Sequence, residues 1–100
     1  MKKVVLISRK SGQTDSFMTA VKLAQEKGEL AFDVQLALHP SNYKEVVENF
    51  APEFAIISPE MIVWQAEVEK FLKEKDIPFI VAKGSHFGTR QVAKIFELVK

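Results

Sequence analysis

The stretch Val4-Val5-Leu6-Ile7-Ser8-Arg9-Lys10-Ser11-Gly12-Gln13-Thr14-Asp15-Ser16-Phe17 decides the fold. Val4–Ile7 is apolar without a break, as a strand covered on both faces requires; a strand with one wet face alternates instead. The polar stretch Ser8–Ser16 comes next, and Phe17, Val21 and Ala24 then fall on one helical face. Strand, short connection and helix make the first half of a parallel βαβ unit. Met1-Lys2-Lys3 ahead of the apolar run superficially resembles a signal peptide. The run is too short for one, however, and the charged pair Arg9-Lys10 follows at once, which favours a buried strand.

The same alternation continues to the end of the chain. Strands are predicted over Val4–Ser8, Phe32–Leu38, Phe54–Ile57 and Pro78–Ala82. Phe54–Ile57 is again continuous, whereas Phe32, Val34, Leu36 and Leu38 alternate with Asp33 and Gln35 in part, as an edge strand does. Gly28 is placed to end the first helix. Tyr43, Val46, Val47 and Phe50 mark a second helix, with Ser41 as its expected N-cap. Met61, Trp64, Val68, Phe71 and Leu72 form an apolar stripe on a third, with Ser58 as cap and Pro59 in the first helical position. Trp64 reads as core on that spacing. Val92, Ile95, Phe96 and Val99 mark the last helix. The expected fold is therefore α/β, a three-layer αβα domain over residues 1–100. Its four-stranded parallel sheet has order 2-1-3-4 and helices on both faces. In such sheets ligands gather at the carboxyl ends of the strands near the switch point. That rule selects Ser8–Ser16, Ser58–Glu60 and Lys83–Gly88 as the functional edge.

Composition narrows the possibilities. Fourteen Lys+Arg against thirteen Asp+Glu leave a net charge of +1, which gives no electrostatic reason to expect nucleic acid or an anionic membrane as partner. No apolar run approaches the ~20 residues of a membrane helix, so direct membrane insertion is not expected. With no cysteine there is no thiolate metal site, no disulfide and no thiol nucleophile. No His/Asp/Glu cluster has metal-ligand spacing, so neither metal nor cofactor is expected, and the default location is the cytoplasm.

Two readings of the first loop are open. Arg9, Lys10, Ser11, Gly12, Gln13, Thr14, Asp15 and Ser16 lie just before or at a helix start, where backbone N–H groups and the positive helix end receive phosphate. Gly12 permits a tight turn, and Arg9 or Lys10 adds a charge-assisted contact. The GxxxxGK[ST] spacing of a P-loop is absent. The plainer reading is a polar turn capped by Thr14 or Asp15, with the Asp15 carboxylate repelling an incoming anion.

On these residues the chain resembles the cytoplasmic IIB component, lactose/cellobiose type, of the bacterial sugar phosphotransferase system. That family carries Cys-x-x-Gly-x-Ser-Thr-Ser after strand 1, Gly-Pro-Gln after strand 3 and Tyr-Gly-x-x-Asp-Gly before the last helix. Here Gly12-Gln13-Thr14-Asp15-Ser16, Ser58-Pro59-Glu60 and Phe87-Gly88-Thr89-Arg90-Gln91-Val92 stand at those places, and the resemblance spans essentially the whole chain. It implies a phosphotransferase whose loop cysteine takes a phosphoryl group from a phosphohistidine on the IIA component and passes it to sugar at the membrane IIC component, so IIA and IIC are the implied partners. The motif's spacing from Gly12 puts Arg9 at the cysteine position, and arginine stays protonated and cannot attack phosphorus. Ser8 and Ser11 are the neighbouring hydroxyls, without thiolate reactivity and without an evident base. Asp15 replaces a motif hydroxyl, Phe87 lacks the motif tyrosine's oxygen, and Gln91-Val92 replaces Asp-Gly.

Whether the chain is an enzyme is thus open. One reading is a degenerate or regulatory IIB-like subunit that keeps a docking surface; the alternative is a free-standing phosphate- or small-anion-binding module of the same fold. A receiver domain would need acidic residues after strand 1 and an aspartate after strand 3, where Ser8-Arg9 and Ser58 stand. His39 is expected at the rim after strand 2. His86, beside the edge with Phe87 and Gly88, is weighed as acceptor or acid-base against plain exposed surface. Glu67 and Glu69 among Lys70 and Lys73 read as a solvated helix face.

Overall fold

The apolar run Val4–Ile7 forms the middle of the sheet. In the computed structural model, which describes residues 1–99, β1 spans Lys2–Arg9 and every side chain from Val4 to Ser8 is shut off from solvent. β1 pairs in parallel with β2 (Phe32–His39) on one side and β3 (Phe54–Ile57) on the other. β4 (Phe79–Val81) joins β3, giving the order β2-β1-β3-β4, all parallel. This is the expected topology. The continuous runs Val4–Ile7 and Phe54–Ile57 occupy the two central strands, and the alternating segment lies at an edge.

Strand parity divides the core into two layers. Val4, Leu6 and Ile56 pack on one face against Phe17 and Val21 of α1 (Gly12–Glu26), Phe87 of α4 (Gly84–Gly88), and Ile95 and Phe96 of α5 (Val92–Phe96). Val5, Ile7 and Ile57 pack on the other against Tyr43 and Val47 of α2 (Tyr43–Phe50) and Val68 and Leu72 of α3 (Gln65–Glu74). Met61, from a 3-10 turn at Pro59–Met61, completes this second layer.

Several local expectations change. α2 is capped at Asn42 rather than Ser41; the Asn42 Oδ1 accepts the Leu38 N–H at 2.9 Å instead of a helix donor. The stripe from Met61 to Leu72 is not one helix. After the 3-10 turn the chain makes a further turn through Ile62–Trp64 before α3 begins, and consecutive β-branched residues there disfavour unbroken helix. Met61 is thereby buried while Ile62 and Val63 are each 77% exposed and Trp64 is 37% exposed, so Trp64 is not core.

Lys83–Gly88 is not a free loop either. Residues 84–88 form α4, because a helical turn carries Phe87 inward to stack on Phe17 with ring centroids 4.6 Å apart. Arg90 then takes a positive φ of 56° before α5. Gly28, with φ 73°, follows the first helix in the left-handed conformation that glycine adopts without strain. Phe87 is therefore structural: Phe87→Ala should cost about 3–5 kcal/mol in denaturant unfolding, the range for a buried aromatic removed from a packed core.

Candidate functional site

Only two residues, Lys10 and Ser11, separate β1 from helix α1, so its first turn stands beside the carboxyl edge of the central strand. Ser11 is its N-cap: the backbone is extended (φ −162°, ψ 162°) and Oγ accepts the Thr14 N–H at 3.1 Å. Gly12–Ser16 is thus the first turn of the helix and not part of a loop, and neither Thr14 nor Asp15 is the cap. Gly12 meets no steric requirement, since a Cβ there would find nothing within 4 Å. Asp15 lies exposed in the first turn, where its charge suits the helix dipole, and faces Lys10 Nζ at 3.6 Å.

Ser8, Thr14 and Ser58 are fully buried and joined through their hydroxyls. Ser8 Oγ lies 2.7 Å from both Ser58 Oγ and Thr14 Oγ1. The Glu60 carboxylate closes the chain: its Oε1 is 2.8 Å from Thr14 Oγ1 and 2.5 Å from Ser11 Oγ. An ionised carboxylate only accepts, which orients every hydroxyl. Thr14 and Ser11 donate to Glu60, Ser8 donates to Thr14, and Ser58 donates to Ser8. Each hydroxyl gives its single proton once. The arrangement places a carboxylate oxygen at the start of α1, held by two charge-assisted hydrogen bonds, where a helix receives an anion.

A second polar group lies at the end of β2. The His39 side chain is almost wholly buried, between the rings of Tyr43 and Trp64 at 5.1 Å each. Its Nε2 is 3.0 Å from Glu67 Oε2, which also accepts the Tyr43 hydroxyl at 2.8 Å. Nε2 therefore carries the proton toward the carboxylate, and the buried Nδ1 has no hydrogen-bond partner among the described residues. Burial, then the Glu67 hydrogen bond and charge, push the Tyr43 hydroxyl up to about 12. The hydrogen bonds from Tyr43 and then His39 hold Glu67 below the usual carboxylate range. Among the described residues no group of three or more His, Cys, Asp or Glu side chains could hold a metal ion, and no helix is long and apolar enough to cross a membrane.

No protein-family model matches the sequence, and no curated protein does. Among solved structures, the fold superposes on the lactose-specific IIB component domain of the phosphoenolpyruvate:carbohydrate phosphotransferase system from Streptococcus pneumoniae. The TM-score is 0.71 at 12% identity, covering 99% of this chain and 98% of that one. The fold is that of a IIB domain. The strand order 2-1-3-4 expected from the sequence is the one observed.

The IIB-like architecture brings together Ser8, Ser11, Thr14, Ser58 and Glu60 and separates them from the other candidates. Arg9 is exposed at the end of β1, and among the described residues it makes no ion pair or side-chain hydrogen bond. Pro59 leads the 3-10 turn, beside Gly84. Gln13 and Ser16 are exposed on α1, and Gln13 reaches Gly88, where an added Cβ would meet its Nε2 at 3.2 Å. His86 is half-buried on α4 without a side-chain partner in the described structure, and Phe87 points into the core. His39 is enclosed rather than at an open rim, and Glu67 is a hydrogen-bond acceptor rather than part of a merely solvated face. A base does stand beside Ser11, namely Glu60, which only the fold brings near.

The Tyr43–Glu67 bond has a direct readout, because Tyr43 is the single tyrosine. Its folded-state value lies above the ordinary 10.0, so the stabilisation it supplies is complete below pH 10 and lost as pH rises from there through about 12. Glu67→Gln should lower the tyrosinate absorbance midpoint toward, but not to, the ordinary value, since burial is the larger cause. For Glu67 itself the value is depressed, so its stabilisation is present above the ordinary carboxylate range and lost as pH falls through the folded value. The same variant should flatten that acid limb in pH-dependent melting.

Proposed function

We propose that this chain is a IIB-like subunit of a sugar phosphotransferase system that docks with the IIA and IIC components without carrying phosphate itself. Residues 1–100 make up the IIB-like domain, acting in the cytoplasm as a regulatory or degenerate copy. The observation that carries the reading is the Glu60 carboxylate at the start of α1, hydrogen-bonded to Ser11 and Thr14. A phosphoryl group arriving there meets a resident anion that already takes the Ser11 and Thr14 hydroxyls. Arg9 stands where the resemblance places the accepting cysteine, and a guanidinium has no lone pair to offer phosphorus. The buried Ser8 hydroxyl is inaccessible to a donor protein. The carboxylate resident beside Ser11 and Thr14 also weighs against a free-standing phosphate-binding module.

Ser11 and Thr14 both have the Glu60 carboxylate as a neighbouring base, and of the two only Ser11, with Glu60 Oε1 2.5 Å from its Oγ, is not fully buried. Against it stands the charge of that same carboxylate, which repels a phosphoryl donor. Intact-mass measurement after incubation with a phosphorylated IIA component decides between them. The expected result is an unmodified native chain. Arg9→Cys combined with Glu60→Gln should accept one phosphoryl group, and Arg9→Cys alone substantially less, because the carboxylate stays in the cradle. A stoichiometric adduct on native Ser11 overturns the phosphate-free reading. Failure of both IIA and IIC components to bind overturns the docking reading.

A further inference from the structure

β2 is an edge strand of eight residues, and the side of it turned away from β1 is only partly closed. The ladder fixes which backbone groups face out. The Lys3 and Ile7 carbonyls of β1 accept from Glu53 and Ser58 on the β3 side, so the even-numbered residues of β1 turn to β2. With Val4 opposite Val34 in a parallel pair, their bonds go to Asp33, Gln35 and Ala37. Phe32, Val34, Leu36 and Leu38 therefore point their N–H and C=O groups away from the sheet.

The two ends of this outer row are closed within the chain. Gln25 Nε2 donates to the Phe32 carbonyl at 2.8 Å. At the other end the Leu38 N–H donates to Asn42 Oδ1 at 2.9 Å, and the Leu38 carbonyl accepts the Asn42 N–H at 3.0 Å. Between them the N–H and C=O groups of Val34 and Leu36 have no partner among the described residues. No lysine, proline or bulge interrupts the stretch, the devices by which an edge left to solvent avoids pairing.

This window is complementary to itself. Under a two-fold axis at Gln35, Val34 forms a hydrogen-bonded antiparallel pair with Leu36 of a second copy, and Leu36 with Val34 of that copy. Every open group of the window is then answered. Asp33, the one charged residue of β2 apart from His39, stands opposite Ala37 of the second copy, so like charges do not meet.

Helix α1 carries a matching pattern. Asp15, Met18, Thr19 and Lys22 line one groove with Val34, Gln35 and Leu36, which sets this helical stripe level with the window. The same axis runs α1 antiparallel to its copy, with Asp15 toward Lys22 of the second copy at each end and Met18 and Thr19 in the middle. Lys22 has no ion pair among the described residues, and Asp15 has only the exposed Lys10 at 3.6 Å. An unrelated extended peptide could answer the backbone groups alone; a second copy answers backbone and stripe with one operation. We propose that two copies of this chain pair antiparallel along β2, joining their four-stranded sheets into one continuous sheet. The pairing does not depend on the proposed function.

Sedimentation equilibrium of the native chain is expected to show a concentration-dependent dimer of twice the 11.3 kDa chain mass. Amide hydrogen exchange at Val34 and Leu36 should slow at least about tenfold as the dimer fills, while the Leu38 N–H, already held by Asn42, changes little. Gln35 is exposed and meets its own counterpart at the axis. Gln35→Lys should therefore weaken the dimer at least about tenfold and leave the melting of the dilute monomer unchanged. Gln35→Glu should do the same, and the two variants mixed should form a heterodimer. A chain that stays monomeric up to millimolar concentration overturns the proposal. So does a dimer indifferent to Gln35→Lys, a mixture of the two variants that stays monomeric, or a dimer whose Val34 and Leu36 amides remain unprotected. A dimer lost instead in Ile62→Asp, within the exposed apolar run before α3, places the interface there and overturns it as well.

Discussion

The Ser8 hydroxyl sits at the end of the central strand with no access to water, and the carboxyl edge of the sheet is built around satisfying it. A buried hydroxyl without partners costs about 1–3 kcal/mol, so elements on either side must bring oxygens to it. Thr14 arrives from the first turn of α1 and Ser58 from the end of β3, each at 2.7 Å. That requirement fixes how far α1 stands from the sheet and how the chain leaves β3. Because Ser58 is held there, Pro59–Met61 closes as a tight turn and Glu60 is directed back to the helix start. One buried polar atom thus ties β1, α1 and the β3 turn into a single unit.

The same turn positions what lies outside it. Met61 anchors the segment in the layer below the sheet, and the next residues, Ile62 and Val63, have no inward place left. Trp64 finds a partial one on His39, whose own ring is fixed by Glu67 and Tyr43. Two polar groups therefore organise the carboxyl edge: the hydroxyl chain on the α1 face and the His39–Glu67–Tyr43 group on the α3 face. Arg9 projects next to the second and away from the first.

The sheet was legible in the residues because its signal is local. Val4–Ile7 and Phe54–Ile57 are continuous apolar runs, and that alone places them in the middle of a parallel sheet. The cap of α1 was not legible in the same way. Ser11, Thr14 and Asp15 are all good cap residues, and the choice among them is made by Ser8 and Glu60, the latter far along the chain. Trp64 satisfies helical spacing yet lies outside α3, because the spacing is indifferent to the break at Ile62-Val63. His39 could not be distinguished from a rim histidine until Tyr43, Trp64 and Glu67 had been brought around it. Phe87 was visible as a motif position, but its stacking on Phe17 is a contact between the two ends of the chain. The general pattern is physical: burial periodicity is written residue by residue, whereas a hydrogen-bond partner across the fold leaves no periodic trace.

Arg9 and Glu60 take opposite places at the carboxyl edge: Glu60 is engaged at the start of α1, and Arg9 is exposed on the face it shares with His39. A helix start lined by Ser11 and Thr14 offers donors that are well satisfied only by an acceptor, preferably a charged one. Glu60 provides it from within the chain, at no translational entropy cost, and its charge further discourages phosphate. Arg9 faces the other side of the strand and is exposed, with no ion pair among the described residues. The start of α1 is thus answered by the protein's own carboxylate, while the Arg9 charge is displayed outward from the face beyond it.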